Sequence, residues 1–79
     1  MTEERRKDFQ ERANEIDLVS MSLWDLLGEE EKEFENIPEE LHGTAVHKKA
    51  ADVIDMLTDA LNNLDDATGM IEEAIEQED

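Results

Sequence analysis

The cationic side chains of this chain are concentrated in two places, the first turns of the chain and the middle of the sequence. Between Leu41 and Ala51 there is no acidic residue, although two histidines and two lysines fall within that stretch. Lysine side chains and the free N–H groups at the start of a helix both bind phosphate. A helix beginning near Thr44, with aromatic residues nearby, therefore favours a cationic, aromatic-lined site for a small phosphorylated nucleotide.

The predicted ligand-binding residues share positive charge, an aromatic ring or a hydroxyl group near this middle stretch. They are Trp24, Lys32, Phe34, His42, Thr44, His47, Lys48 and Lys49. A plainer interpretation is that the lysines only neutralise the carboxylates at 30, 31, 33 and 35. Such surface ion pairs contribute little to stability, and the lysines would then have no binding role.

Groups that could carry out catalysis are sparse. The hydroxyl residues have no motif around them, and there is no glycine-rich phosphate loop. Residues 39–42 match half of a di-iron carboxylate motif, but the full site needs a second such pair, and a loop histidine beside a loop glutamate explains these residues better. Glu30 and Glu33, with Asp52 and Asp55, resemble the ExxE…ExxD magnesium motif of the all-α nucleoside triphosphate pyrophosphatases. Because an acidic chain produces such spacings by chance, we predict no enzyme, no catalytic residue, no metal and no cofactor.

The overall charge restricts the possible partners. The chain has 24 Asp and Glu against 7 Lys and Arg, which gives a net charge of −17. Nucleic acid and anionic membranes repel such a surface, whereas a basic protein could be attracted to it. There is no cysteine and no apolar run long enough to cross a bilayer. We therefore expect a cytoplasmic protein that binds neither nucleic acid nor membrane.

Two heptad repeats must position these residues. The first runs through Phe9, Ala13, Ile16, Ser20, Leu23, Leu27, Glu30, Phe34 and Ile37. The second places apolar or alanine residues at 46, 50, 53, 57, 60, 64, 67, 71 and 74, beside a second row at Ile54, Leu61, Thr68 and Ile75. Such spacing predicts long α-helices. Pro38 interrupts the pattern, Gly43 permits a reversal and Thr44 can cap a helix.

We therefore predict a single all-α domain over 1–79, with a helix over about 3–36, a turn over 37–44 and a helix over about 45–76. Folding the chain back near Leu41 pairs positions that sum to 83 or 84. Large residues then face small ones in most layers, as close packing requires. The predicted layers are Phe34 with Ala50, Leu27 with Leu57, Leu23 with Ala60, Ile16 with Ala67, Ala13 with Ile71, and Phe9 with Ala74.

An antiparallel hairpin leaves apolar residues on both sides of the predicted seam. Val19, Leu26, Met56 and Met70 flank one side, and Trp24, Ile54, Leu61 and Ile75 flank the other. Burying one leucine or isoleucine stabilises a fold by roughly 1.5–3 kcal/mol. We therefore predict a homodimer that forms a four-helix bundle, or a higher oligomer.

The corner carries a family resemblance. Residues 31–43, EKEFENIPEELHG, resemble a recurring pattern of an aromatic residue, Asp/Glu-Asn, an aliphatic residue and Pro-Glu, followed by Leu and a second acidic heptad helix. That pattern is similar to a group of small acidic α-helical proteins of phages and prophages of Gram-positive bacteria. The resemblance implies the same hairpin fold. Because tiny, accessory, non-enzymatic phage proteins are often counter-defence factors, we expect a counter-defence role in the host cell cytoplasm.

One function follows as the expectation, and two others are alternatives to it. The first is an oligomeric, non-enzymatic sponge that sequesters a nucleotide immune signal of the kind used by CBASS or Thoeris systems. The second is an acidic DNA mimic that occupies a basic groove of a restriction or CRISPR effector. The third is a magnesium enzyme similar to the all-α pyrophosphatases.

Overall fold

The chain forms a hairpin of two long helices in a computed structural model that describes residues 1–77. Helix α1 spans Glu3–Glu35, a single 3-10 turn spans Glu39–Leu41, and helix α2 spans Ala45–Glu76. The predicted hairpin and its helix bounds are confirmed to within one residue. Neither helix, over the described residues, contains a stretch long and apolar enough to span a bilayer.

Local sequence determines where each helix begins and ends. The Thr2 hydroxyl accepts a hydrogen bond from the backbone N–H of Arg5 at 3.1 Å, which caps α1. Pro38 cannot donate to a helical carbonyl and restrains the residue before it, so α1 ends just ahead of it. Gly43 adopts a φ of +83°, which a residue with a Cβ atom rarely adopts. The chain therefore reverses at Gly43 and enters α2 directly.

The hairpin is long and thin. Its principal extents are 60 × 16 × 12 Å and its radius of gyration is 18.0 Å, whereas a compact domain of this length has a radius of about 12 Å. The buried residues come at seven-residue intervals in both helices. They are Ala13, Ser20 and Leu27 in α1, and Leu61, Thr68 and Ile75 in α2. Half of these are small or hydroxyl-bearing, so the core between the helices is narrow.

The predicted seam of α2 is wrong by one row. The second row of α2, which was expected at the flank of the seam, contains the buried residues Leu61, Thr68 and Ile75. The row expected as the seam includes exposed residues, namely Val46, Val53 and the alanines at 60, 67 and 74. Burial of the larger row removes more apolar surface from water than burial of alanines does. The Thr68 hydroxyl donates to the Leu64 carbonyl at 3.0 Å, so the row buries no unpaired hydroxyl.

The predicted layers are correspondingly only partly observed. Leu23 and Leu27 share the wall of one cavity with Leu57 and Ala60, and Phe34 shares another with Ala50, as the predicted pairs require. Toward the other end, Phe9, Ala67 and Ala74 are exposed and form no buried layer. Ile54, Leu61 and Ile75, expected at a flank, form part of the seam itself.

Candidate functional site

Three rings lie in contact at the end of the hairpin where the chain reverses: Phe34 and His47 are stacked, and His42 is tilted against His47 at 32°. The His47 ring lies between two others, with its centroid 4.7 Å from that of Phe34 and 4.5 Å from that of His42. The planes of Phe34 and His47 are nearly parallel, at 23°. We call Phe34, His47 and His42 the ring column. It brings together three of the predicted site residues from α1, the turn and α2.

Hydrogen bonds hold the ring column in place from both sides. His42 Nε2 donates to the Ile37 carbonyl at 3.1 Å, and because a carbonyl can only accept, the proton lies on Nε2. The Thr44 hydroxyl donates to the Leu41 carbonyl at 2.6 Å and accepts from the His47 N–H at 3.3 Å. Thr44 is thus the predicted cap of α2, and it fixes the turn from which His47 projects.

The three lysines of the predicted site lie on the surface around this corner. Lys32, Lys48 and Lys49 are all exposed. Within residues 1–77, no carboxylate oxygen lies within 4.0 Å of any of their ammonium groups. The plainer interpretation, in which these lysines are tied up by the neighbouring glutamates, therefore has no ion pair to support it.

The concavity next to Phe34 does not have the expected cationic lining. It has a volume of 200 Å³ and is lined by Glu30, Glu33, Phe34, Ile37, Ala50 and Ile54. Two carboxylates and no lysine border it. This concavity therefore lacks the positive charge that the sequence predicted for a phosphate site.

Glu30, the charged member of the α1 seam, is exposed and lines two cavities. Because an isolated buried carboxylate is costly, a glutamate in a seam requires either a cationic partner, here Lys49, or a gap between the helices. No such pair occurs among the described side chains, and the cavities correspond to the second possibility.

Trp24 does not join the ring column. It lies ten residues before Phe34 on α1, which is about 15 Å along a helix. Its indole Nε1 donates to Asp65 Oδ2 at 3.0 Å, and the Ser20 hydroxyl donates to the other carboxylate oxygen, Oδ1, at 2.5 Å. Sequence reasoning missed Asp65. The available signal was that a half-buried indole N–H and a seam hydroxyl both need an acceptor from α2.

The acidic spacings do not assemble into a metal site. Among residues 1–77, no group of three or more His, Asp or Glu side chains is placed to hold a metal ion. The carboxylates at 30 and 33 border the concavity beside Phe34, whereas those at 52 and 55 are exposed on α2 and line none of its walls. The four carboxylates of the pyrophosphatase-like pattern therefore do not border one common concavity among the described residues.

A second concavity runs along one side of the hairpin. It has a volume of 390 Å³ and is lined by Leu23, Leu26, Leu27, Glu30, Leu57, Ala60 and Leu61. Six of these seven side chains are apolar. We call the side of the hairpin that carries this concavity the groove face.

Comparison with known proteins finds no matching family model, no similar curated protein and no similar solved structure.

Proposed function

We propose that this protein is a non-enzymatic binding protein that captures a small phosphorylated nucleotide at the corner of the hairpin and acts as a homodimeric four-helix bundle. The observation that supports the ligand is the ring column, with the exposed Lys48 and Lys49 following His47 in the first turns of α2; neither lysine has a carboxylate partner among the described residues. The column offers a surface for a base, and the lysines offer charge for phosphate.

The geometry suits a nucleotide better than a simple anion. His42 is exposed at the open end of the ring column, so a planar base can extend the stack. Stacking on an aromatic side chain contributes about 1–3 kcal/mol per base. Hydrogen bonds to a charged group contribute about 1.5–3 kcal/mol. One stacked base and one phosphate bound by Lys48 therefore contribute about 2.5–6 kcal/mol together, which corresponds to dissociation constants between roughly 40 μM and 15 mM.

The net charge of −17 does not prevent such binding. Salt screens charges beyond about 8 Å at physiological ionic strength. A phosphate next to Lys48 and Lys49 is therefore affected mainly by these two cations and by the free N–H groups at the start of α2. Capture requires binding alone, so a chain with no assembled catalytic group can remove a nucleotide signal from solution. This is the proposed counter-defence role, a sponge in the cytoplasm of the phage host.

Titration calorimetry with cyclic di- and trinucleotides and cyclic ADP-ribose isomers tests the proposal. We expect at least one to bind, and Lys48→Glu to weaken that binding at least tenfold because it reverses the charge at the phosphate. His47→Ala should weaken it similarly, since it removes the central ring while leaving the backbone cap of α2 intact.

Lys7→Glu is the matched control, because it changes the net charge equally in an exposed turn far from the corner. If no nucleotide in the panel binds, or if Lys7→Glu weakens binding as much as Lys48→Glu, the proposed ligand site is wrong.

The shape and charge of the hairpin favour one second candidate, the acidic mimic of DNA. A net charge of −17 on a rod 60 Å long is one charge per roughly 3.5 Å, about half the density along duplex DNA. A salt-sensitive complex with a restriction or CRISPR effector that competes with DNA, and that is unaffected by Lys48→Glu, would favour this candidate over the sponge.

A further inference from the structure

The groove face has too much uncovered apolar surface for a single hairpin. The chain has an accessible surface of 6350 Å², whereas a compact monomer of this mass exposes about 4,900 Å². Val19 and Leu26 are 57% and 55% exposed. The excess of roughly 1,450 Å² includes polar and apolar surface of the whole hairpin, and it is above the 800 Å² or so that each partner contributes to a standard interface. The hairpin therefore has enough exposed surface for a second copy to cover, and Arg12, which donates to Glu15 at 2.8 Å, would exchange that partner on docking.

One row of residues on α1 indicates how that copy would dock. At seven-residue steps it reads Arg5, Arg12, Val19, Leu26 and Glu33, with Glu40 continuing it beyond the helix. Arg5 and Arg12 line a third concavity together with Asp8 and Phe9. Leu26 lines the concavity of the groove face, and Glu33 lines the one beside Phe34. The row therefore follows concave surface along most of α1. We call it the α1 row.

The α1 row is complementary to itself when reversed. Its order is basic, basic, apolar, apolar, acidic, acidic. In a two-fold symmetric interface, if residue i of one copy contacts residue j of its partner, then residue j of the first copy also contacts residue i of the partner. Two antiparallel copies of the row, crossing midway between Val19 and Leu26, would pair Val19 with Leu26 and Arg12 with Glu33, whereas Glu40 lies in the turn beyond α1 and has no helical position in the row. A parallel arrangement of the two rows would place Arg12 beside Arg12 and Glu33 beside Glu33, which repel.

We propose that a second copy of this chain docks on the groove face with the two α1 helices antiparallel. Val19 packs against the partner's Leu26, and Arg12 pairs with the partner's Glu33, each contact occurring twice. The hairpin corners then lie at opposite ends of the bundle, so each dimer carries two separate nucleotide sites. This inference specifies the docking face of the homodimer and rests on that part of the proposed function, not on its ligand.

Disulfide trapping tests the docking directly, because the native chain has no cysteine. A disulfide needs Cα atoms within about 7 Å. Val19→Cys combined with Leu26→Cys should give a covalent dimer under mild oxidation at micromolar concentration. Either substitution alone should give little, because identical positions are then offset by seven residues, about 10 Å along the helices. Asn14→Cys with Met21→Cys has the same spacing on the exposed opposite side of α1 and should remain monomeric in denaturing gels.

Charge reversal gives a second, independent measurement. Arg12→Glu alone and Glu33→Arg alone should each raise the dimer dissociation constant roughly tenfold, because each creates two repulsive pairs per dimer. The two changes together should restore dimerisation to near the native level. Lys7→Glu and Glu31→Arg make matching charge changes at exposed positions off the α1 row and should have little effect.

The outcomes separate the two proposals. A dimer by light scattering that neither cross-links through 19 and 26 nor responds to the double reversal would overturn this docking and leave the dimer standing. A monomer at tens of micromolar would overturn both the docking and the dimer. Failure of every nucleotide to bind would overturn the ligand site alone.

Discussion

Replacement of Asp65 by alanine should destabilise the hairpin more than any other removal of a surface charge. The Asp65 carboxylate accepts from the Ser20 hydroxyl at 2.5 Å and from the Trp24 indole at 3.0 Å, so it joins α2 to α1 twice. Ser20 is only 3% exposed, and its hydroxyl would be left without an acceptor. The indole is less buried, and water can partly replace its lost partner.

These contacts give the size of the effect. A hydrogen bond to a charged group contributes about 1.5–3 kcal/mol, and an unsatisfied buried donor costs about 1–3 kcal/mol. The hydrogen bond from the Trp24 indole counts for less because water can replace its partner. The expected loss in the free energy of unfolding is therefore about 2–3 kcal/mol for Asp65→Ala. Asp65→Asn keeps one acceptor oxygen and should cost about half as much. In a chain of this length, 2–3 kcal/mol corresponds to a fall in Tm of roughly 10–20 °C.

Urea and thermal unfolding, followed by circular dichroism and by the fluorescence of Trp24, would measure this change. All variants should be compared at one protein concentration, because dimerisation makes Tm depend on concentration. Asp66→Ala is the control: it removes the same charge from an exposed neighbour and should be neutral or slightly stabilising in so acidic a chain. An Asp65→Ala variant no less stable than Asp66→Ala would show that the two hydrogen bonds do not stabilise the hairpin.

Two further predictions concern the corner and the charge. Gly43→Ala should lower the free energy of unfolding by about 1 kcal/mol in the same experiments, because Gly43 has a φ of +83° that a residue with a Cβ atom rarely adopts. An added Cβ would meet nothing within 4 Å, so this cost is conformational and not steric. An unchanged stability would show that the turn relaxes. Raising sodium chloride from about 20 mM to about 0.5 M should raise Tm by a few degrees by screening the net charge of −17, and a fall in Tm would show that attractive ion pairs outweigh self-repulsion.

The sequence was sufficient for the fold because its strongest signals are local. Pro38, Gly43 and Thr44 each act within a few residues, so the corner and both helix bounds follow from them. The rotation of α2 was not predictable in the same way. Val53 and Leu57 lie beside Ile54 and Leu61, and a heptad count cannot decide which of two adjacent apolar rows faces α1.

The candidate site likewise contains some residues whose positions follow from local sequence and others whose positions do not. Residues close to the corner, such as Phe34, His42 and His47, come together because the turn itself brings them together. Trp24 was placed at the site by residue type alone, and its partner Asp65 lies 41 positions away, where no local pattern marks it. Side-chain pairs across the hairpin depend on the rotation of both helices, which one sequence does not specify.

The bonds from Ser20 and Trp24 to Asp65 also protect the hairpin against slippage. A seven-residue repeat permits one helix to slide along the other by a whole heptad with little loss of apolar contact. Sliding by one heptad would exchange Ser20 for Ala13 or Leu27 opposite Asp65, and neither can donate a hydrogen bond. Asp65 would then lose the hydrogen bond from the Ser20 hydroxyl and gain no donor in its place. A single acidic residue thus selects one alignment from several that hydrophobic burial alone would leave nearly equal in free energy.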